Sequence, residues 1–182
     1  YKNYTVSENP EITLEANPDD LSKEQIHKFT NSQINRLSIG IQSFFEEDLK
    51  LMNRAHNASE ALESIKEAKQ YFENFSIDLI YGIPGMGNER WKNNLEIALN
   101  LDVPHLSCYA LTIEPKTALK KFIEKGIVPP VDEEAAKQHY EILLSETEKA
   151  GLENYEFSNF GKPGFHSRNN SAYWEGKPYL VI

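Results

Sequence analysis

Polar side chains recur where apolar, strand-like stretches of this sequence end. Glu15 falls at the end of EITLEA, Gln42 closes RLSIGIQ, and Asp78 lies inside the apolar run IDLIYGIPG. Carboxylate and carboxamide groups hydrogen-bond the hydroxyl and amino groups of ligands, and an unpaired carboxylate in an apolar run is costly. A polar small-molecule site is one interpretation. The structural alternatives are turn formation at Asn17-Pro18, helix initiation at Gln42 and capping of a loop by Asp78.

Five stretches favour β-strands, and amphipathic helices lie between them. The strand signals are EITLEA (11–16), RLSIGIQ (36–42), SIDLIYG (76–82), HLSCYAL (105–111) and LENYEFS (152–158). Because the crossovers are longer than a dozen residues, they predict right-handed units and a parallel sheet. In parallel α/β folds the carboxyl ends of the strands carry the site. We therefore expect Glu15, Gln42, Asp78 and Ala110 to lie near one edge of the sheet.

Composition narrows the classes of partner. The 182 residues carry a formal charge of -9, without a basic stripe, which argues against nucleic-acid binding. No apolar run approaches the roughly 18 residues of a membrane span, and no signal peptide is visible, so we expect a cytoplasmic protein. The single cysteine, Cys108, is predicted to be a buried core thiol. It excludes a disulfide or a cysteine-rich metal cluster made by this chain alone.

Both ends of the sequence suggest an origin in a longer protein. The chain opens at YKNYTVSENP without a methionine and closes at KPYLVI within an apolar run. The tail after Phe157 is rich in Gly, Pro, Asn and aromatic residues. This composition is typical of a long functional loop or an extension of the domain.

Several motifs in fixed order resemble the radical S-adenosylmethionine (SAM) family of oxygen-independent coproporphyrinogen III oxidase and its haem-chaperone relatives. They are EITLEANPDDL, RLSIGIQSFFEEDLKLMNRAH, DLIYGIPG, CYALTIEP and YEFSNF, and the likeness runs from about residue 11 to the C-terminus. YEFSNF and the ending RNNSAYWEGKPYL are closer to the chaperone branch. The resemblance implies an α/β fold, a partial (β/α) TIM-like barrel with a parallel sheet. Residues 1–158 would form this N-terminally truncated barrel, and residues 159–182 a C-terminally truncated extension of the same domain.

The resemblance also implies a SAM site at the carboxyl ends of the strands. The positions that match the family's SAM contacts are Glu15, Gln42, Arg54, Asp78 and the backbone at Ala110. Carboxylate and amide groups suit ribose hydroxyls and an α-amino group, whereas an arginine suits a carboxylate. Arg54 follows Gln42 by twelve residues, and a solvated helix-surface arginine is its structural alternative.

Two departures from the family pattern matter. The C-x-x-x-C-x-x-C motif is absent, so the [4Fe–4S] cluster is expected only in the intact protein, upstream of Tyr1, and the fragment alone is expected to be inactive. In the tail, Asn169 stands where the chaperone branch has the histidine of a His-Asn-x-x-Tyr-Trp motif associated with haem. The candidate haem contacts are His166, Asn170, Tyr173 and Trp174. An ordinary surface histidine is the alternative for His166.

Three functions compete. The main expectation is a coproporphyrinogen III oxidase-like protein, in which the cluster reduces SAM and the resulting 5′-deoxyadenosyl radical abstracts hydrogen from a porphyrinogen propionate. The alternative is a chaperone that carries haem to acceptor proteins without oxidase activity. An ordinary barrel lyase or isomerase acting on a phosphorylated sugar is the third. The partners implied by the resemblance are a porphyrin or haem, together with an electron donor or a haem acceptor protein.

Overall fold

Six strands form one sheet in the computed structural model, which describes residue 6 and residues 8–178 of the chain. The strands are β1 (Thr13–Ala16), β2 (Arg36–Gln42), β3 (Phe75–Tyr81), β4 (His105–Ala110), β5 (Glu153–Asn154) and β6 (Asn159–Gly161). Their order in the sheet is β1-β2-β3-β4-β6-β5. Strands β1 to β4 pair in parallel, each with the next along the chain, which confirms the parallel arrangement predicted for the first four strand signals.

Seven helices and one short 3-10 turn (Pro18–Asp20) accompany the strands in the described part of the chain. The helices are α1 (Lys23–Thr30), α2 (Glu46–Leu51), α3 (Ala58–Tyr71), α4 (Asn88–Asn100), α5 (Ala118–Glu124), α6 (Glu133–Lys149) and α7 (Arg168–Trp174). Asn57 and Glu60 form the predicted capping box at the start of α3. None of the helices in the described residues has the length and apolar character needed to cross a bilayer.

One face of the sheet packs on the helices and forms the core. Leu37, Ile39 and Ile41 of β2 are fully buried in the same apolar cluster as Trp91 and Leu95 of α4. Cys108 also belongs to this cluster, as predicted. Successive strand residues point to opposite faces, so the residues between these apolar positions lie on the other face of the sheet. That second face carries the polar residues described below.

The last part of the chain differs from the prediction. The expected strand LENYEFS (152–158) is wrong in extent, since β5 covers only Glu153–Asn154, and wrong in direction, since it pairs antiparallel with β6. The cause is a turn held by side-chain hydrogen bonds. The side-chain amide of Asn154 donates to the backbone carbonyl of Glu156 at 2.5 Å, and Glu156 Oε1 accepts from the backbone amide of Ser158 at 2.9 Å. The reversed chain then pairs antiparallel with β4.

The tail predicted as a loop or an extension contains regular structure. Its first residues form β6, immediately after residue 158, and Ser167 starts α7 by accepting a hydrogen bond from the Asn170 amide at 3.3 Å. The Arg168 guanidinium donates to the Asn9 carbonyl at 2.7 Å, and its backbone amide donates to Glu11 at 3.0 Å. The start of α7 is thereby tied to the segment that leads into β1.

Candidate functional site

A polar cavity of about 760 Å³ lies on the face of the sheet opposite the core. We call it the lumen cavity. Alternate residues of the four parallel strands line it, together with the first turn of α7; the strand residues are Thr13, Glu15, Arg36, Ser38, Ser76, Asp78, Ser107 and Tyr109. Each strand thus contributes two side chains at a spacing of two. This arrangement is that of an open barrel whose interior is hydrophilic.

Asp78 is the most strongly perturbed acid of this cavity. Ser76 and Ser38 share a hydrogen bond of 2.9 Å, and the Ser38 hydroxyl donates in turn to Asp78 Oδ1 at 3.4 Å. Burial raises the pKa of Asp78 to about 6, against the lowering effect of the Ser107 and Ser38 hydroxyls. The nearby charge of Glu15 raises this pKa further, and that of Arg36 lowers it. The carboxyl therefore changes charge near neutral pH.

The position of Asp78 corrects one expectation. Asp78 is the fourth residue of the seven in β3 and pairs with Ser107, so it lies in the middle of the sheet rather than at the strand end. Glu15 belongs to the same cavity, and its backbone pairs with that of Ser38. The structure therefore brings Glu15 and Asp78 together, but inside the barrel rather than along its rim.

Gln42 ends β2 in an unusual backbone conformation. Its φ is 66°, a left-handed value that is uncommon for a residue other than glycine, and its side chain is buried. The side chain folds back over Gly40, where an added Cβ would lie 2.8 Å from Gln42 Nε2 and 3.1 Å from Asn17 Oδ1. Two carboxamides from the ends of β1 and β2 thus converge above a glycine. Such outliers are characteristic of binding sites.

Buried polar contacts hold the turn after Gln42. The Ser43 hydroxyl donates to Asp48 Oδ2 at 2.7 Å, and the Phe44 amide donates to Asn94 Oδ1 at 2.7 Å. Arg90 pairs with Asp48 at 3.0 Å, which compensates that buried charge. On the other side, a ring nitrogen of His56 lies 3.1 Å from the Ile41 carbonyl oxygen. These contacts fix the residues on both sides of Gln42 and so stabilise the turn in which its backbone is left-handed.

Arg54 and Ala110 lie elsewhere. Arg54 lines a second cavity of about 390 Å³ with Ile80 and Leu111, and neither Glu15 nor Asp78 is in its lining. Ala110 is the last residue of β4 and is exposed. Because Ile80 follows Asp78 by two residues on the same face of β3, the second cavity lies further toward the carboxyl end of that strand. Of the five predicted SAM contacts, Glu15 and Asp78 line the lumen cavity and Arg54 lines the second cavity, whereas Gln42 and Ala110 line neither.

The haem candidates separate into two groups. Asn170, Tyr173 and Trp174 line a third cavity of about 460 Å³, which we call the tail cavity, and Tyr109 lines both it and the lumen cavity. The Trp174 indole is 62% exposed and donates to Glu156 Oε2 at 2.7 Å. His166 is not in the lining of the tail cavity. Its ring stacks on Tyr155 with centroids 4.3 Å apart and lies 3.1 Å from Glu153 Oε2.

Sequence reasoning missed several lumen residues. Arg36, Ser38, Ser76 and Ser107 were not singled out, although all four line the cavity. The signal was present as polar residues at every second position of otherwise apolar strands, which indicates a sheet with one hydrophilic face.

The residues of this chain do not fit an iron–sulfur cluster. Its single cysteine, Cys108, is 1% exposed, and burial raises the pKa of its thiol, which disfavours the thiolate that binds iron. Within the described residues no group of three or more His, Cys, Asp or Glu side chains is arranged to hold a metal ion. By contrast, the carboxylate and carboxamide oxygens of the lumen cavity and the Gln42 turn are suitable acceptors for the hydrogen bonds that ribose hydroxyls and an amino group donate.

Comparison with known proteins gives a consistent assignment. The family model of the Radical SAM superfamily matches residues 2–109. "Heme chaperone HemW" of Bacillus subtilis is 39% identical over 173 residues, which cover 93% of this chain and 45% of that protein. "Radical S-adenosyl methionine domain-containing protein 1, mitochondrial" of Mus musculus is 38% identical over 173 residues, covering 94% and 39% respectively. The chain spans about half the length, or less, of the curated relatives it matches.

A solved structure shows the same fold. Coproporphyrinogen III oxidase (HemN) from Escherichia coli superposes with a TM-score of 0.78 at 22% identity, covering 96% of this chain and 40% of that one. The predicted α/β class and TIM-like barrel are thereby confirmed, with a sheet that is open and mostly parallel. The chain belongs to the radical SAM superfamily, among the relatives of the proteins named heme chaperone HemW.

Proposed function

We propose that this chain is the SAM-binding part of a haem chaperone, with SAM held between the lumen cavity and the neighbouring cavity of Arg54. Glu15, Asp78 and Gln42 would hydrogen-bond the ribose and the amino group, and Arg54 would pair with the carboxylate. The observation that carries the SAM assignment is the convergence of two acids on one face of the sheet, beside a strained glutamine folded over Gly40. When bound, SAM together with a cluster supplied from outside this chain provides radical chemistry.

The haem assignment is supported by the tail cavity. Its wall combines Tyr109, 44% exposed, with Trp174, 62% exposed, and large exposed aromatic rings are suited to pack on a porphyrin face. The names of the curated relatives favour a chaperone over the oxidase expected first from the sequence. The solved oxidase supports the fold alone at its 22% identity. If the protein is a haem chaperone, it requires a partner protein that accepts the haem.

SAM binding is tested by isothermal titration calorimetry of this chain with SAM. Glu15→Gln and Asp78→Asn are each expected to weaken binding by about fivefold to twentyfold, the loss of one hydrogen bond to a charged group. The matched control is Glu63→Gln, because Glu63 is an exposed residue of α3 outside the lumen cavity. Equal affinities for all four proteins would show that the lumen acids do not contact SAM.

Haem binding is tested by absorbance titration with haem. Trp174→Ala is expected to weaken binding by about tenfold, whereas Tyr71→Ala removes an aromatic side chain of similar exposure on α3 and is expected to have no effect. The oxidase alternative is distinguished by assaying the full-length protein with porphyrinogen. Decarboxylation without haem transfer to any acceptor would overturn the chaperone proposal.

A further inference from the structure

Arg36 is a buried cation without a counter-ion. The residue is 4% exposed, and its Nε makes no hydrogen bond. No carboxylate among the residues that the structure describes forms an ion pair with its guanidinium. Buried charges are ordinarily paired because desolvation costs several kcal/mol. Arg36 is the first residue of β2 and lines the lumen cavity.

The acids of the same cavity do not neutralise it. Asp78 receives its hydrogen bonds from serine hydroxyls, through the relay from Ser76 to Ser38. The Arg36 charge acts on Asp78 only as the last and smallest influence on that carboxyl, behind burial and both hydroxyls. The cation and the acids therefore occupy one cavity without pairing, an arrangement suited to a ligand that carries a charge of its own.

A second buried nitrogen without a hydrogen bond in the described residues belongs to His105. A ring nitrogen of His105, Nε2, lies 2.7 Å from the Tyr155 hydroxyl, and that hydroxyl accepts from the Ser167 amide at 3.2 Å. Nδ1 is buried and makes no hydrogen bond in the described residues. Arg36 is close enough to lower the pKa of His105, after the larger effect of burial.

We propose that Arg36 is the anchor of an anion site at the strand-start end of the lumen cavity, and that this site takes a single carboxylate group of a ligand. A guanidinium binds a planar carboxylate through two parallel hydrogen bonds. Glu11, Glu15 and Asp78 line the same cavity and would repel a doubly charged phosphate more strongly than a monoanion. Arg36 is not one of the proposed SAM contacts, although Glu15 and Asp78 line the same cavity, and the test of this site requires neither SAM nor haem.

The experiment uses this chain without SAM, labelled with ¹⁵N, and follows the Nε–H signal of Arg36 at pH 7. Sodium acetate is added at constant ionic strength against sodium chloride. We expect a saturable shift with a dissociation constant of about 1–10 mM, the range for a small ion held by a few contacts. In parallel titrations at pH 8, where the phosphate dianion predominates, inorganic phosphate is expected to bind at least about fivefold more weakly than acetate. The signal is assigned by its loss in Arg36→Lys.

The control is Arg90→Lys, because Arg90 pairs with Glu47 and Asp48 outside the lumen cavity. We expect this variant to show the same acetate response as the unmodified chain. If Arg36→Lys does not fold, triple-resonance assignment of the unmodified chain identifies the signal. A shift that is linear in acetate or reproduced by chloride would show that Arg36 is only hydrated, and would overturn the proposal. Binding of phosphate as tight as that of acetate would overturn the monocarboxylate assignment.

Discussion

The carboxamide of Gln42 lies directly over Gly40, two residues earlier in the same strand, so that a Cβ on Gly40 would come within 2.8 Å of Gln42 Nε2. The nearest atom is the end of a flexible side chain, which can move away at little cost. Gly40→Ala is therefore expected to change the free energy of unfolding by less than about 1 kcal/mol. The same substitution displaces the Gln42 amide and is expected to weaken SAM binding by about tenfold, measured by calorimetry.

The background variant Gln42→Ala separates the two effects of Gly40→Ala. Without the Gln42 amide, the closest remaining neighbour of the added methyl group is Asn17 Oδ1 at 3.1 Å, and the further loss of SAM affinity is expected to be much smaller than tenfold. An equal loss of affinity from Gly40→Ala in both backgrounds would mean that the methyl group itself obstructs the ligand.

Asp78 is expected to make stability depend on pH. Its pKa is raised to about 6 in the folded chain from an ordinary 3.8, so the folded state retains a proton that the unfolded state loses. The stabilisation from this proton is complete below about pH 4 and is lost as the pH rises through 6. Asp78→Asn, which has no charge at any pH, should be about 1–2 kcal/mol more stable than the unmodified chain at pH 7. Urea unfolding at pH 4 and pH 7 measures the difference, which should vanish at pH 4.

The same group is expected to control SAM affinity. If the Asp78 carboxylate accepts from the ligand, SAM binding should weaken as the pH falls from 7 to 5, and Asp78→Asn should remove most of that dependence. Calorimetry at three pH values in buffers of equal ionic strength provides the measurement. An unchanged pH profile in Asp78→Asn would assign the titration to another group.

Gly161→Ala is expected to destabilise the fold. An added Cβ would lie 3.0 Å from His166 Cδ2 and 3.3 Å from His105 Cδ2. Neither ring moves freely, because His105 is hydrogen-bonded to the Tyr155 hydroxyl and His166 stacks on the Tyr155 ring. We expect a loss of about 1–3 kcal/mol in thermal or urea unfolding. In a His166→Ala background the loss should be smaller, and an undiminished loss would locate the clash at His105 instead.

Asn169→His is expected to tighten haem binding. Asn169 lines both the lumen cavity and the tail cavity, and an imidazole there would offer haem iron a ligand that a carboxamide does not. The expected result is a lower dissociation constant and a displaced Soret band in absorbance titrations. Asn93→His places an imidazole on the exposed surface of α4 and serves as control. If both variants bind haem like the unmodified chain, Asn169 is not near the iron.

The sequence predicted the positions of the strands along the chain better than the positions of site residues within the barrel. The bounds of β2 (Arg36–Gln42) agree with the prediction, because an alternating apolar run marks the strand and an acidic helix start follows it. Asp78 was expected near a strand end, but IDLIYGIPG contains no local signal for the register with Ser107. The turn between β5 and β6 depends on side-chain hydrogen bonds of Asn154 and Glu156, which hydrophobic periodicity does not encode.

The unpaired state of Arg36 could not be read from the sequence either. RLSIGIQ shows an arginine at a strand start, where a solvated position is the ordinary expectation. The cavity that Arg36 lines is formed by the sheet together with the start of α7. These elements bring residues more than a hundred positions apart to one site. Non-local packing of this kind has no local signature.

The two borders of the sheet differ in a way that affects handling of the chain. The border strands β1 and β5 each pair with one strand among the described residues, but β1 has four residues and β5 only two. In the part of the chain that the structure describes, no strand pairs with the outer side of Thr13–Ala16, and its outward-facing backbone groups can accept another strand. Two copies meeting along this border would extend the sheet across both molecules. Self-association at high protein concentration should accordingly be suppressed by Thr13→Pro, which removes an outward-facing backbone donor from β1.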